Sequence, residues 1–290
     1  MSIRYWHPTI PIKLIKDELH GKFDTSEFEK VLNISVLETE SRAFGWCFGK
    51  LEPFFLTDKH RFLILDADII FVGPVIDLLE QYDQDFVVRY EEPPDLAFVD
   101  KFYFVLEHLK QFDPKFQFPG FTFNGGGIVA TTGIFKRSDF DRFVRWTTPP
   151  QFSLPELFKC GDQGVLNYLF MTKQAQGEIS LARCDFMDFA YTPGGAAIEL
   201  DKLDKNSPYT ILLHWAGPFK HPVSPHFDNT PRADLLMHFE KLYYDLIPFG
   251  AFRRWTRLWL VQLYAAVKSC AKKIPGLVTV GRRLKKISAS

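Results

Sequence analysis

The chain has 290 residues, of which 46% are apolar and 24% charged, with 35 Lys and Arg balanced by 35 Asp and Glu. That length suits one large domain or two small ones with a substantial core, and no uncharged apolar run approaches the ~18 residues of a spanning helix. Ten Lys or Arg and no Asp or Glu lie from Ile247 to Ser290, so the first 246 residues hold 25 basic against 35 acidic side chains, a balance that argues against nucleic acid as a partner.

Pro11-Ile-Lys-Leu-Ile15 reads as a short strand, Thr25-Ser-Glu as a helix start capped by Thr25 or Ser26, and Ile34-Ser-Val-Leu37 as a second strand. Ser41 to Leu56 is predicted as helix. The run Phe62 to Leu65 lacks polar alternation, as in a strand buried on both faces. Val75 to Gln81 is a short helix, Asp85 to Tyr90 a strand, and Leu96 to Gln111 a helix beyond a Pro-containing loop. Phe123 to Thr131 turns from glycines into a strand. Phe135 to Trp146 and Asp162 to Phe170 are predicted as helices, and Tyr209 to His214 as a late strand. A helix capped at Thr230-Pro231 runs to Leu246, ahead of a basic tail. Strands alternating with helices predict an α/β domain with a mainly parallel sheet over 1–246, followed by a basic amphipathic tail over 247–290. Thirty Phe residues predict aromatic-rich packing. The four cysteines, Cys47, Cys160, Cys184 and Cys270, form no C-x-x-C pair. With no signal peptide at Met1, they predict free thiols and a cytoplasmic setting.

Asp66-Ala-Asp68 follows directly on the buried run. Carboxylates at i and i+2 of an extended backbone point to one side. Like charges held that close repel, and a divalent cation such as Mg²⁺ or Mn²⁺ resolves the conflict and recruits phosphates. The position beyond a strand's carboxyl end is where open α/β sheets place ligands. Three further segments stand beside this pair. In Phe123-Asn-Gly-Gly-Gly127 the glycines let backbone approach a ligand, and Asn124 both donates and accepts; the competing reading is a plain turn. Asp162 and Gln163 open a helix, where an Asp also serves as a cap. His214, at a strand end ahead of Gly217-Pro and Lys220, is either a satisfied structural residue or a third ligand with a phosphate-reaching lysine behind it.

Taken in order, Asp66-Ala-Asp68, Asn124-Gly-Gly, Asp162-Gln163 with Leu166-Asn167, and His214-x-x-Gly217-x-x-Lys220 resemble the motif series of glycosyltransferase family 8, over roughly residues 8 to 222. That family includes glycogenin and bacterial sugar transferases of lipopolysaccharide synthesis. The resemblance implies the A-type glycosyltransferase fold, a Rossmann-like mixed sheet with flanking helices. It implies retaining transfer of a sugar from a nucleotide donor, usually UDP-linked, to a glycan, lipid-linked or protein acceptor, with Mn²⁺ (or Mg²⁺) as cofactor. By position, Asp66, Asp68 and His214 look like the metal ligands, and Gly217 and Lys220 like diphosphate contacts. Asn124, in the Asn124-Gly125 turn, and Asp162 look like holders of donor-sugar hydroxyls, and Gln163 falls against the β-face of the donor sugar. Lys50, in Gly49-Lys-Leu-Glu-Pro, stands where the family carries an Arg near the donor. Gln163 is a poor nucleophile, so the resemblance favours same-side attack assisted by the leaving phosphate. A catalytically inactive binding or scaffold protein of the same fold, and a metal-dependent nucleotidyl enzyme releasing pyrophosphate, are the competing functions.

The match also departs from the family. The chain opens where a first helix of the family ends, so about 20 residues bearing a uridine-binding strand are expected to be absent, through a misassigned start, a truncated chain or a different nucleotide pocket, with weak or no activity for this chain. Lys220 is followed by His221-Pro222 rather than Pro-Trp, which leaves the acceptor side open. In the tail, Arg254, Arg257, Lys268 and Lys272 cluster within about 60° of one helical face, with Trp255, Trp259, Leu263, Ala266 and Cys270 opposite. This pattern fits either an interfacial membrane helix over 251–286, giving peripheral attachment, or a helix packed on the domain by its aromatics.

Overall fold

Apolar runs from distant parts of the chain meet in two short sheets that hold the acidic turn between them. The computed structural model describes residues 1–19, 21–45, 47–204, 206–216 and 230–273, with side chains as far as Leu263 except Val261. The chain begins with α1 (Ser2–Trp6), β1 (Lys13–Leu14), α2 (Ser26–Val31) and β2 (Ser35–Val36). Next come β3 (Arg61–Leu65), β4 (Ile69–Phe71), α3 (Val75–Leu79), β5 (Phe86–Arg89), α4 (Leu96–Phe102), α5 (Leu106–Phe112) and β6 (Gly127–Thr131). β7 (Val144–Arg145), β8 (Gln151–Phe152), α6 (Asp162–Ala175), β9 (Leu181–Cys184), β10 (Met187–Phe189), α7 (Pro193–Ala196) and β11 (Leu212–His214) follow within one unit, Ser2–Pro222. A second unit, Val223–Ser290 with Met1, carries α8 (Ala233–Asp245) and α9 (Gly250–Lys273).

The fold is mixed α/β. One sheet has the order β3-β6-β5-β9 and the other β10-β11-β4, while β1-β2 and β7-β8 form separate pairs. The sheets are mixed rather than mainly parallel: β6 runs antiparallel to both β3 and β5, and only β5-β9, β10-β11 and β1-β2 are parallel. The four-stranded sheet is apolar on both faces, as the unbroken run Phe62 to Leu65 requires. Ile64, Phe86, Val88, Ile128 and Ala130 point into one core, and Leu63, Leu65, Val87 and Val129 into the other. Phenylalanine dominates the first core. Phe54, Phe86, Phe123, Phe135 and Phe170 pack ring against ring, with Phe135 and Phe170 stacked at 5.5 Å. Each such burial contributes about 1.5–3 kcal/mol.

Several expected helices are shorter than their periodicity suggests. Among the described residues of Ser41–Leu56 only Phe48–Phe55 is helical, as a 3₁₀ turn, because Gly45 and Cys47 take left-handed conformations (φ 68° and 67°). The predicted Leu96–Gln111 helix splits into α4 and α5. Phe104 leaves the helix to bridge to Phe158, Lys159 N–H donates to Tyr103 O at 2.7 Å, and Asp100 accepts from Leu106 N–H at the start of α5. Only Arg137–Phe140 of the predicted Phe135–Trp146 helix is helical, and Val144–Arg145 instead pairs with β8. α8 starts at Ala233, past the expected Thr230-Pro231 cap, because Arg232 turns left-handed (φ 54°) and pairs with Asp234. No helix among the described residues is long and apolar enough to cross a membrane.

Candidate metal centre

Asp66 and Asp68 lie in the turn that carries the chain from β3 to β4, out of one sheet and into the other. Asp66 N–H donates to Gly126 O at 2.8 Å, extending the β3–β6 ladder by one residue. β4 runs antiparallel to β11, so the start of β4 faces the end of β11 and His214 lies opposite Ile69. Trp215 N–H donates to Asp68 O at 3.1 Å, continuing that ladder. Two backbone registers therefore bring three side chains together. His214 Nε2 lies 3.2 Å from Asp68 Oδ1 and 3.9 Å from Asp66 Oδ2, and one ligand atom from each residue falls within 4.8 Å of the others. Donors ~2.1 Å from an octahedral ion lie about 3 Å apart when adjacent, so the spacing and the two carboxylate oxygens with one imidazole nitrogen fit a small divalent cation.

His214 is 2% exposed and fixed by packing. Phe189 lies against one side of its ring, with centroids 5.8 Å apart. Gly126 lies on another side, where an added Cβ would come within 2.3 Å of Cε1 and 2.8 Å of Nδ1. Only a residue without a side chain fits there. His214 Nδ1 is buried without a hydrogen-bond partner among the described residues, so ring orientation rests on this packing and on Nε2.

Lys50 reaches the same place from the 3₁₀ turn. Its ammonium contacts Asp66 Oδ1 at 2.7 Å, Asp162 Oδ2 at 2.9 Å and Gly125 O at 3.1 Å, which accounts for its three donors. Asp66 thus gives one oxygen to Lys50 and turns the other toward His214. Burial opposes the Lys50 charge, but Asp162 and Asp66 outweigh it and raise the pKa above the usual lysine range. Asp162 is 4% exposed, and its burial raises the carboxyl pKa while Lys50 pulls it back. Burial also works against ionised Asp68, yet the hydrogen bond and charge of His214, with Lys50 behind, hold its carboxyl below the ordinary value.

Asp162 does not cap α6: Gly161 is the cap position, with no side-chain cap bond, and Asp162 turns to Lys50. Gln163 holds the glycine loop instead of facing open space. Its Oε1 accepts from Asn124 Nδ2 at 3.2 Å and Gly125 N–H at 3.0 Å, while Nε2 donates to Phe102 O at 3.2 Å. Asn167, one turn on and fully buried, accepts from Phe123 N–H and donates to Phe123 O, both at 2.9 Å. Losing it would strand a buried donor and acceptor at about 1–3 kcal/mol each.

Asp66, Asp68, His214, Lys50, Asn124, Gly125, Asp162 and Gln163 thus lie together, whereas Gly217 and Lys220 lie outside the described residues. Sequence reasoning missed the roles of Gly126, which fits against the His214 ring, and of Phe189, whose strand β10 is too short for a periodic signal. No protein-family model, curated protein or solved structure matches the chain.

Proposed function

We propose that the chain is a retaining, divalent-cation-dependent glycosyltransferase acting on a nucleotide-sugar donor, UDP-linked, with a glycan or lipid-linked acceptor. The observation that carries this reading is the meeting of Asp66, Asp68 and His214 beside a cluster of Lys50, Asp162 and the Asn124-Gly125 loop. Asp66, Asp68 and His214 would hold a divalent cation, Mn²⁺ or Mg²⁺, which would supply positive charge where the departing diphosphate gathers negative charge. Asp162 and Asn124 orient donor-sugar hydroxyls, with Lys50 holding Asp162 ionised in a buried setting. Gln163 positions the loop and offers no free nucleophile, since its amide oxygen already accepts two hydrogen bonds. Retention then comes from same-side attack: the acceptor oxygen bonds to the anomeric carbon as the sugar–phosphate bond breaks, and the hydroxyl proton passes to the leaving phosphate.

A panel of UDP-sugars, assayed for UDP release with and without Mn²⁺, tests the reading. Cation-dependent release abolished in Asp68→Ala supports it. Cation binding without turnover of any donor would replace it with the inactive binding protein, and pyrophosphate released in a parallel reaction of UTP with a sugar 1-phosphate would point to nucleotidyl transfer.

A further inference from the structure

The second unit presents an amphipathic helix whose aromatic stripe is left exposed. Packing on a neighbour normally uses the apolar face and leaves charges in water. In α9 two arginines reach across to α8: Arg254 Nε lies 3.4 Å from Glu240 Oε2, and Arg257, itself still exposed, donates to Tyr244 Oη at 3.4 Å. The aromatic face turns out. Phe252 is 64% exposed, Trp255 60%, Trp259 52% and Leu263 45%, at steps of three, four and four residues that align them in one stripe. Phe252 and Trp255 stack on each other at 6.1 Å. Ahead of them Phe249 is 83% exposed and held left-handed (φ 56°), a conformation a bulky side chain rarely adopts. The turn that puts it there is fixed by Gly250, where an added Cβ would come within 1.6 Å of Tyr244 O.

We propose that this outward face, from Phe249 to Leu263, docks on the surface of an anionic lipid bilayer. Trp and Phe lie along the headgroup boundary, and α9 rests in the plane of the membrane because it is not apolar enough to cross. Charge selects lipid over a second copy. α9 carries six Lys or Arg and no Asp or Glu, with Arg253 and Arg257 exposed, so pairing two copies along α9 would bring like charges together, whereas anionic headgroups complement them. The inference stands independently of the transferase reading.

The test is co-sedimentation of the full chain with vesicles of phosphatidylglycerol and phosphatidylcholine, and with phosphatidylcholine alone, at low and high salt. Sedimentation with the anionic vesicles is expected, weakened severalfold by salt, and at least about tenfold weaker in Trp255→Ala/Trp259→Ala. Far-UV circular dichroism and thermal melting establish that the variant is folded. Should it not fold, quenching of wild-type tryptophan emission by brominated lipid chains gives the same reading. The proposal fails if the chain stays in the supernatant with both vesicles, if the folded variant binds as well as wild type, if brominated chains leave the emission unchanged, or if the stripe drives lipid-free self-association that vesicles do not disrupt.

Discussion

Gly126→Ala isolates the role proposed for His214 without changing any of the three proposed ligand residues. A Cβ at position 126 would lie 2.3 Å from His214 Cε1 and 2.8 Å from Asn124 Oδ1, where ordinary contact begins near 3.4 Å. The imidazole must therefore retreat by about 1 Å, and Phe189 closes against its other side. Coordination tolerates only about 0.2 Å, so Nε2 loses its place beside Asp68 Oδ1. Loss of a ligand-orienting contact weakens metal binding about 10–100-fold, equivalent to about 1.4–2.8 kcal/mol. The crowding itself destabilises the fold by about 1–3 kcal/mol. Titration with Mn²⁺, following the free ion by electron paramagnetic resonance, measures the first effect, and urea unfolding of the metal-free protein the second. Gly125→Ala is the control: its Cβ would meet Asp162 Oδ2 at 3.2 Å and Gln163 Cα at 3.5 Å, away from His214. A folded Gly126→Ala protein with wild-type Mn²⁺ affinity would refute the assignment of His214 as a ligand held by packing.

Lys50→Met removes the cation that Asp162 depends on and is expected to cost about 3–5 kcal/mol in urea unfolding at neutral pH. Stability should recover in part as the pH falls and the stranded Asp162 takes up a proton; a loss below about 1 kcal/mol would count against a buried ion pair there. Tyr168 donates to Asp113 Oδ2 at 2.8 Å, and burial, with that hydrogen bond, raises its pKa to about 12. A raised pKa means stability that is complete below the unfolded value near 10 and fades as pH climbs toward 12. Thermal melts from pH 8 to 12 should therefore show the advantage of wild type over Tyr168→Phe shrinking across that window, and a constant difference would contradict the assignment.

Asp66 and His214 are legible in the sequence because each is a polar group at the end of an apolar run, whereas Lys50, Asn124, Asp162 and Gln163 are legible through the order of the motifs. Phe62–Leu65 leads to Asp66, and the strand ending at His214 was visible for the same reason. Less legible was anything set by left-handed backbone or by rings pulled out of register. Lys50 lies in a segment whose 3.6-residue periodicity suggests a full helix, yet the left-handed Cys47 confines it to a 3₁₀ turn that still delivers the ammonium. Phe104 interrupts a helix in favour of a bridge to Phe158, a gain in burial that local propensity does not encode. Asp162 shows the converse, since a residue well suited to capping is drawn away by a lysine 112 positions earlier in the chain.

The turn from Asp66 to Asp68 bridges two separate hydrogen-bonded ladders, the backbone of one aspartate anchored to each through Gly126 and Trp215. An ion gripped by both carboxylates would act as a rivet through that seam. Its occupancy and the shear between the two sheets become linked quantities, and amide exchange at Leu65 to Ile69 should slow when the seam is pinned.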